Sequence, residues 1–157
     1  MGSKNSKKES NFSVAMVVAI VLIASTFLFL RPAPEEVKAR SEDGIVSLEG
    51  VTSESGVIVI ERLDGVTTDI EHAVSPVYEL AFTQRGILQE GELTFEFDQF
   101  TEEGLMIQDV VVYQFDRSTL SWEALPTSFV LETQTLFAPV SFAGNLLVGL
   151  GERVLVE

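Results

Sequence analysis

Nineteen consecutive residues, Phe12 to Leu30, carry no charge, no Pro and no Gly, and only Ser13, Ser25 and Thr26 bring a hydroxyl. A helix rises about 1.5 Å per residue, so the run would extend roughly 28 Å, close to the ~30 Å hydrocarbon core of a bilayer. It separates a short N-terminal tail from everything that must fold in water. The expected organisation is a basic cytoplasmic tail over residues 1–11, a single transmembrane helix over 12–30, a linker over 31–43 containing Pro32 and Pro34, and an extracytoplasmic domain over 44–157.

Flanking charges set the expected orientation. Lys4, Lys7 and Lys8 precede the run, and Arg31, Lys38 and Arg40 follow it, so the raw counts tie. A first helix with lysines in a short leading tail follows the N-in pattern, which puts the N-terminus in the cytoplasm. Val37 and Ala39 form a small-residue pair of the kind found at signal-peptide cleavage sites. The apolar run, however, exceeds the usual h-region of about 7–15 residues and ends well before that pair, and Pro34 blocks cleavage directly after Ala33. An uncleaved signal anchor is the expectation. Three local motifs carry less weight. Met1-Gly2 with Ser6 fits a myristoylation pattern that a spanning helix makes unnecessary. Asn11-Phe12-Ser13 matches a glycan acceptor on the side assigned to the cytoplasm. Ala15 and Ala19 form a small-residue pair that is common in spanning helices.

After residue 40 the charge changes sign. Residues 41–157 carry four Arg against 21 Asp or Glu, a balance of −17, and no Lys follows Lys38. Such a surface repels phosphate backbones and anionic lipid headgroups, so nucleic acid is not an expected partner and the domain should stand off the membrane. Cationic partners suit it. Cysteine is absent, which removes disulfides, thiolate zinc sites, Cys nucleophiles and thiol-linked lipid anchors. The roughly 115 residues beyond the linker are enough for one domain with a real core.

Strand signals begin at once. Ile45 to Leu48 and the β-branched run Val57 to Leu63 come first; Asp64-Gly65 then reads as a tight hairpin turn, with Val66-Thr67-Thr68 resuming on the far side. Val77 to Thr83 follows. Glu92 to Asp98 is the clearest strand, because Leu93, Phe95 and Phe97 alternate strictly with Glu92, Thr94, Glu96 and Asp98, giving one buried and one wet face. Ile107 to Phe115 is apolar on both faces and should be central. Asp116 to Thr119 turns it into Ser121 to Leu125, and Ser128 to Thr133, Thr135 to Ala138, Phe142 to Leu150 and Arg153 to Val156 complete the set. No segment after Arg40 has a helical period. The expected fold class is mainly β, an antiparallel β-sandwich of immunoglobulin-like architecture with some nine or ten short strands behind the N-terminal helix.

The spacing of particular residues adds a resemblance. Val57-Ile58-Val59-Ile60-Glu61, Ser75-Pro76-Val77-Tyr78-Glu79-Leu80 and Gly91-Glu92-Leu93-Thr94-Phe95 are followed by Val111-Val112-Tyr113-Gln114-Phe115-Asp116, Ser121-Trp122-Glu123-Ala124-Leu125-Pro126-Thr127 and Ala138-Pro139-Val140-Ser141-Phe142-Ala143. Across about residues 44 to 150 the pattern resembles the β-sandwich module of ankyrins and netrin receptors, degenerate copies of which occur in prokaryotic surface proteins. That likeness implies a binding or spacer module. Some members cleave their own chain at His-Phe-Ser in the last strands; the matching stretch here is Ser141-Phe142-Ala143, so self-cleavage is not carried over.

Few residues invite chemistry. His72, in Asp69-Ile70-Glu71-His72, is the chain's one histidine, and a metal needs three or four protein ligands. Asp98, Glu102 and Glu103 form an acidic stretch whose spacing matches no calcium loop, and one loop rarely supplies both carboxylates of a glycosidase. Tyr113 and Trp122 could form an aromatic platform, although aromatics on strands of a small β domain are mostly core. No P-loop, dinucleotide fingerprint or nucleophile elbow occurs. The expectation is an interaction or assembly module with no catalytic residues, cofactor or metal, whose partners are other membrane or envelope proteins. The terminal segment Arg153 to Val156 is a candidate pairing edge. The alternative is a structural subunit of a surface filament packed through its N-terminal helix, against which Lys8-Glu9-Ser10-Asn11 does not match the basic residue and Gly usual just before such helices.

Overall fold

The computed structural model describes residues 34–153 apart from 54–55, 67, 71 and 98–104. The expected helix Phe12 to Leu30 and the basic tail lie outside the described residues. Among the described residues, no helix is long and apolar enough to cross a membrane.

Those residues form ten strands in two antiparallel five-stranded sheets, the arrangement expected of a β-sandwich. The first sheet contains β1 (Glu35–Arg40), β2 (Val46–Thr52), β5 (Ile87–Glu96), β9 (Thr135–Ala143) and β8 (Ser128–Val130), in the order β1-β2-β5-β9-β8. The second contains β3 (Ile58–Leu63), β4 (Val77–Phe82), β10 (Asn145–Glu152), β6 (Val110–Asp116) and β7 (Ser121–Ala124), in the order β3-β4-β10-β6-β7. One core cluster joins the inner faces, with Leu48, Leu93, Phe95 and Leu136 from the first sheet meeting Tyr78, Leu80, Val112 and Val148 from the second. Leu93 and Phe95 are fully buried while Glu92 is exposed, as the alternation requires.

Four expectations need correction. Residues 31–43 do not all form a linker, because Glu35–Arg40 is a strand paired along its length with β2, from Glu35↔Thr52 to Arg40↔Ser47. Its buried Val37 and partly buried Ala39 alternate with the outward Glu36, Lys38 and Arg40, and those charges obscure the period-two pattern. The turn at Asp64-Gly65 exists, with Gly65 at φ 77°, but Val66 and Thr68 form no strand, and β3 pairs with the distant β4 through Leu63↔Val77. The intervening segment instead returns beside β10, where Ala73 bridges Gly151 and the Val74 N–H donates to the Leu150 carbonyl. Ile107–Phe115 is not one strand: Ile107–Asp109 is a 3-10 turn, and β6 lies second from the edge of its sheet. Pro139 does not interrupt β9, because β8 flanks β9 only over Thr135–Phe137 and beyond that point a residue without an N–H is tolerated.

The break expected near Pro139 falls at Gly144. There the chain leaves the first sheet at Ala143 and enters the second at Asn145 through a single residue at φ 76°, a bend that favours glycine. The opposing chain makes the same change of sheet between β4 and β5. The Phe82 N–H donates to the Gly144 carbonyl, so the two corners are bonded together.

Candidate functional site

The sequence-derived candidates do not converge. His72 is exposed, with φ 50°, and its carbonyl accepts the Glu152 N–H at 3.3 Å. Among the described residues, no group of three or more His, Asp or Glu is arranged to hold a metal ion. Asp98, Glu102 and Glu103 lie outside the described residues, as does the candidate edge beyond Arg153. Tyr113 is buried, and its hydroxyl donates to the Glu152 carbonyl at 2.9 Å. It packs with Ile70, Val111 and Trp122 on the outer face of the second sheet, while Trp122 meets the Phe115 ring edge-on at 5.5 Å. These aromatics form a satellite core under the segment carrying Ile70, not an open platform.

The densest polar constellation lies at the β1–β2 turn. The Ser41 N–H donates to the Val46 carbonyl, the Gly44 N–H to the Ser41 carbonyl, and the Val46 N–H to Ser41 Oγ, closing a tight loop around a buried serine. Asp43 caps it: its Oδ1 accepts the Ser41 hydroxyl at 2.6 Å and the Ile45 N–H at 3.1 Å. Its Oδ2 accepts the Tyr78 hydroxyl at 2.9 Å and lies 3.9 Å from Arg62 Nη1. Tyr78 and Arg62 belong to the second sheet, so this one carboxylate joins the turn of the first sheet to the opposite layer. Arg40 Nη2 donates to the Gly44 carbonyl and to Glu96 Oε1, and Arg62 Nε donates to Asp64 Oδ1.

Electrostatics follow from these contacts. Partial burial opposes ionisation of Asp43, but the hydrogen bonds from Ser41, Ile45 and Tyr78, with the nearby Arg62 charge, outweigh it and hold the carboxyl below its ordinary value. Burial, together with the adjacent carboxylate, raises Tyr78 well above the usual phenol range, so its proton stays in place to donate. A groove of about 670 Å³ opens beside this hub, between Arg40 and Glu42 on one side and Glu61, Arg62 and Asp64 on the other. Both guanidiniums that line it are already engaged by carboxylates. The arrangement locks the turn to the opposite sheet.

The remaining candidate surface is the set of strand edges. Of the four edge strands among the described residues, β1 carries Glu35, Glu36, Lys38 and Arg40, β3 carries Glu61 and Arg62, and β7 carries Glu123. Only β8, reading Ser128-Phe129-Val130, has no charge. The Asp43 hub escaped the sequence reading because Tyr78 lies 35 residues away. The tetrapeptide Ser41-Glu42-Asp43-Gly44 is nevertheless a turn signal that could have located it.

No family model, curated protein or solved structure matches this chain.

Proposed function

We propose that the chain is a single-pass membrane protein, N-terminus inside, whose extracytoplasmic immunoglobulin-like β-sandwich works by interaction or assembly with other membrane or envelope proteins and not by catalysis. The observation that carries the reading is the uncharged run Phe12 to Leu30 followed by an acidic all-β body. The likeness to the ankyrin and netrin-receptor module belongs to the same proposal and argues for a binding or spacer role.

The position of β1 supports retention of the anchor. Cleavage after Ala39 would remove most of a strand that pairs with β2 and contributes Val37 to the core, so the mature domain would lose an edge of its first sheet. With β1 starting at Glu35, the connector shortens to Arg31-Pro32-Ala33-Pro34, about 13 Å if extended.

Protease added to intact cells should remove the domain and leave a small protected N-terminal fragment. A mature N-terminus near Arg40, read by mass spectrometry, would overturn the anchor. Hydrolysis of an envelope polymer by the purified chain would overturn the interaction role.

A further inference from the structure

We propose that the β8 edge is a self-association surface, at which two copies of this chain join their first sheets by antiparallel pairing about a two-fold axis. The proposal deepens the assembly reading above by naming the partner, and it does not depend on the membrane span.

β8 ends its sheet and pairs on one side only, through Ser128↔Phe137, Phe129↔Leu136 and Val130↔Thr135. The other side presents unpaired main-chain groups, which proteins usually protect with charge or proline inside the strand. β8 has neither, and no charged residue occurs between Glu123 and Glu132. Phe129, Val130 and Leu131 are 38%, 38% and 56% exposed, three consecutive large apolar side chains at an open edge.

The charge distribution selects the occupant. Residues 41–157 carry 21 acidic side chains against four Arg. Two copies meeting face to face would appose carboxylates such as Glu49 and Glu92, which already stand opposite each other across β2 and β5. A cationic partner would be drawn to those acidic faces in preference to an uncharged edge. What suits β8 is a second uncharged strand edge, and another copy supplies one by symmetry. With the two-fold axis at Phe129, Ser128 of each copy lies opposite Val130 of the other, and the two Phe129 side chains lie side by side. Only three residues pair, so the contact is small and its affinity modest.

The test is sedimentation velocity of the full chain in mild detergent, over a concentration series at low and high NaCl. A dimer should form and strengthen with salt, because screening relieves repulsion between two strongly acidic bodies. Val130→Lys should raise its dissociation constant by about tenfold or more, because the lysine enters the strand pair opposite Ser128 and diagonal to its own symmetry mate. Val57→Lys, at an exposed position just before β3 in the other sheet, should leave it unchanged. If Val130→Lys lowers the melting temperature, Leu131→Lys at the more exposed neighbour takes its place. A chain that stays monomeric, a dimer that weakens with salt, or one indifferent to both lysine substitutions overturns the proposal. None of these outcomes bears on which side of a membrane the domain occupies.

Discussion

The Tyr78 hydroxyl donates a 2.9 Å hydrogen bond to Asp43 Oδ2, which tethers a ring buried between the sheets to the turn between β1 and β2. The ring itself stands edge-on to Phe95 of the opposite sheet, with centroids 6.0 Å apart. Tyr78→Phe keeps that packing and removes only the donor, so it should cost about 1.5–3 kcal/mol, as for a hydrogen bond to a charged acceptor. Asp43→Asn should cost a similar amount. In a double-mutant cycle the pair should couple by roughly 1 kcal/mol in chemical denaturation, and additive losses would mean the bond contributes nothing of its own.

The same carboxylate makes stability depend on acid. Its folded-state value is depressed, so the unfolded chain, titrating near the ordinary ~3.9, takes up the proton first as pH falls. The Asp43 contribution is therefore complete above about pH 4 and is lost as pH drops through the folded value. Denaturation midpoints measured from pH 7 to pH 2.5 should show the gap between wild type and Asp43→Asn closing below about pH 4. Parallel curves over the whole range would rule this out.

Phe95 and Glu92 lie on opposite faces of β5, the first fully buried and the second exposed opposite Glu49. Phe95→Ala should destabilise by about 3–5 kcal/mol. Glu92→Ala should change stability by no more than about 0.5 kcal/mol, and in the stabilising direction, because it removes a like-charge cross-strand pair. Glu96 is a poorer control, because it accepts a hydrogen bond from Arg40. Similar melting shifts for Phe95→Ala and Glu92→Ala would refute the register of β5.

On the outer face of the second sheet, a Cβ placed on Gly149 would come within 3.1 Å of Ile70 Cδ1. Gly149→Ala should therefore cost up to about 1 kcal/mol in the wild-type background and almost nothing beside Ile70→Ala, since overpacking is relieved once the neighbour is shortened. An equal cost in both backgrounds would show that Ile70 does not cover this face.

Local patterning made part of the fold legible. The alternation at Leu93, Phe95 and Phe97 located β5, and the run Val57 to Leu63 located β3, because each faces a single apolar layer. Pairing was less accessible. Asp64-Gly65 reads as a hairpin, yet β3 bonds to a strand separated from it by thirteen residues, a choice made by how the sheets close over the core. β1 was hidden by its outward charges, and the corner at Gly144 by an extended chain that keeps its apolar rhythm while changing sheets. The Asp43 hub needs Arg62 and Tyr78 brought together from two strands, which only the tertiary fold supplies.

β1 carries a mechanical consequence. It is an edge strand whose first residue, Glu35, is held opposite Thr52, while its far end turns into the loop pinned by Asp43. Tension applied at Glu35 along the strand axis would load the whole ladder with β2 in shear, with the Asp43 clasp acting as a stop at the far end. Tension applied across the axis would peel the same bonds one after another. The direction of pull, more than its size, would then decide whether the domain yields at its first strand.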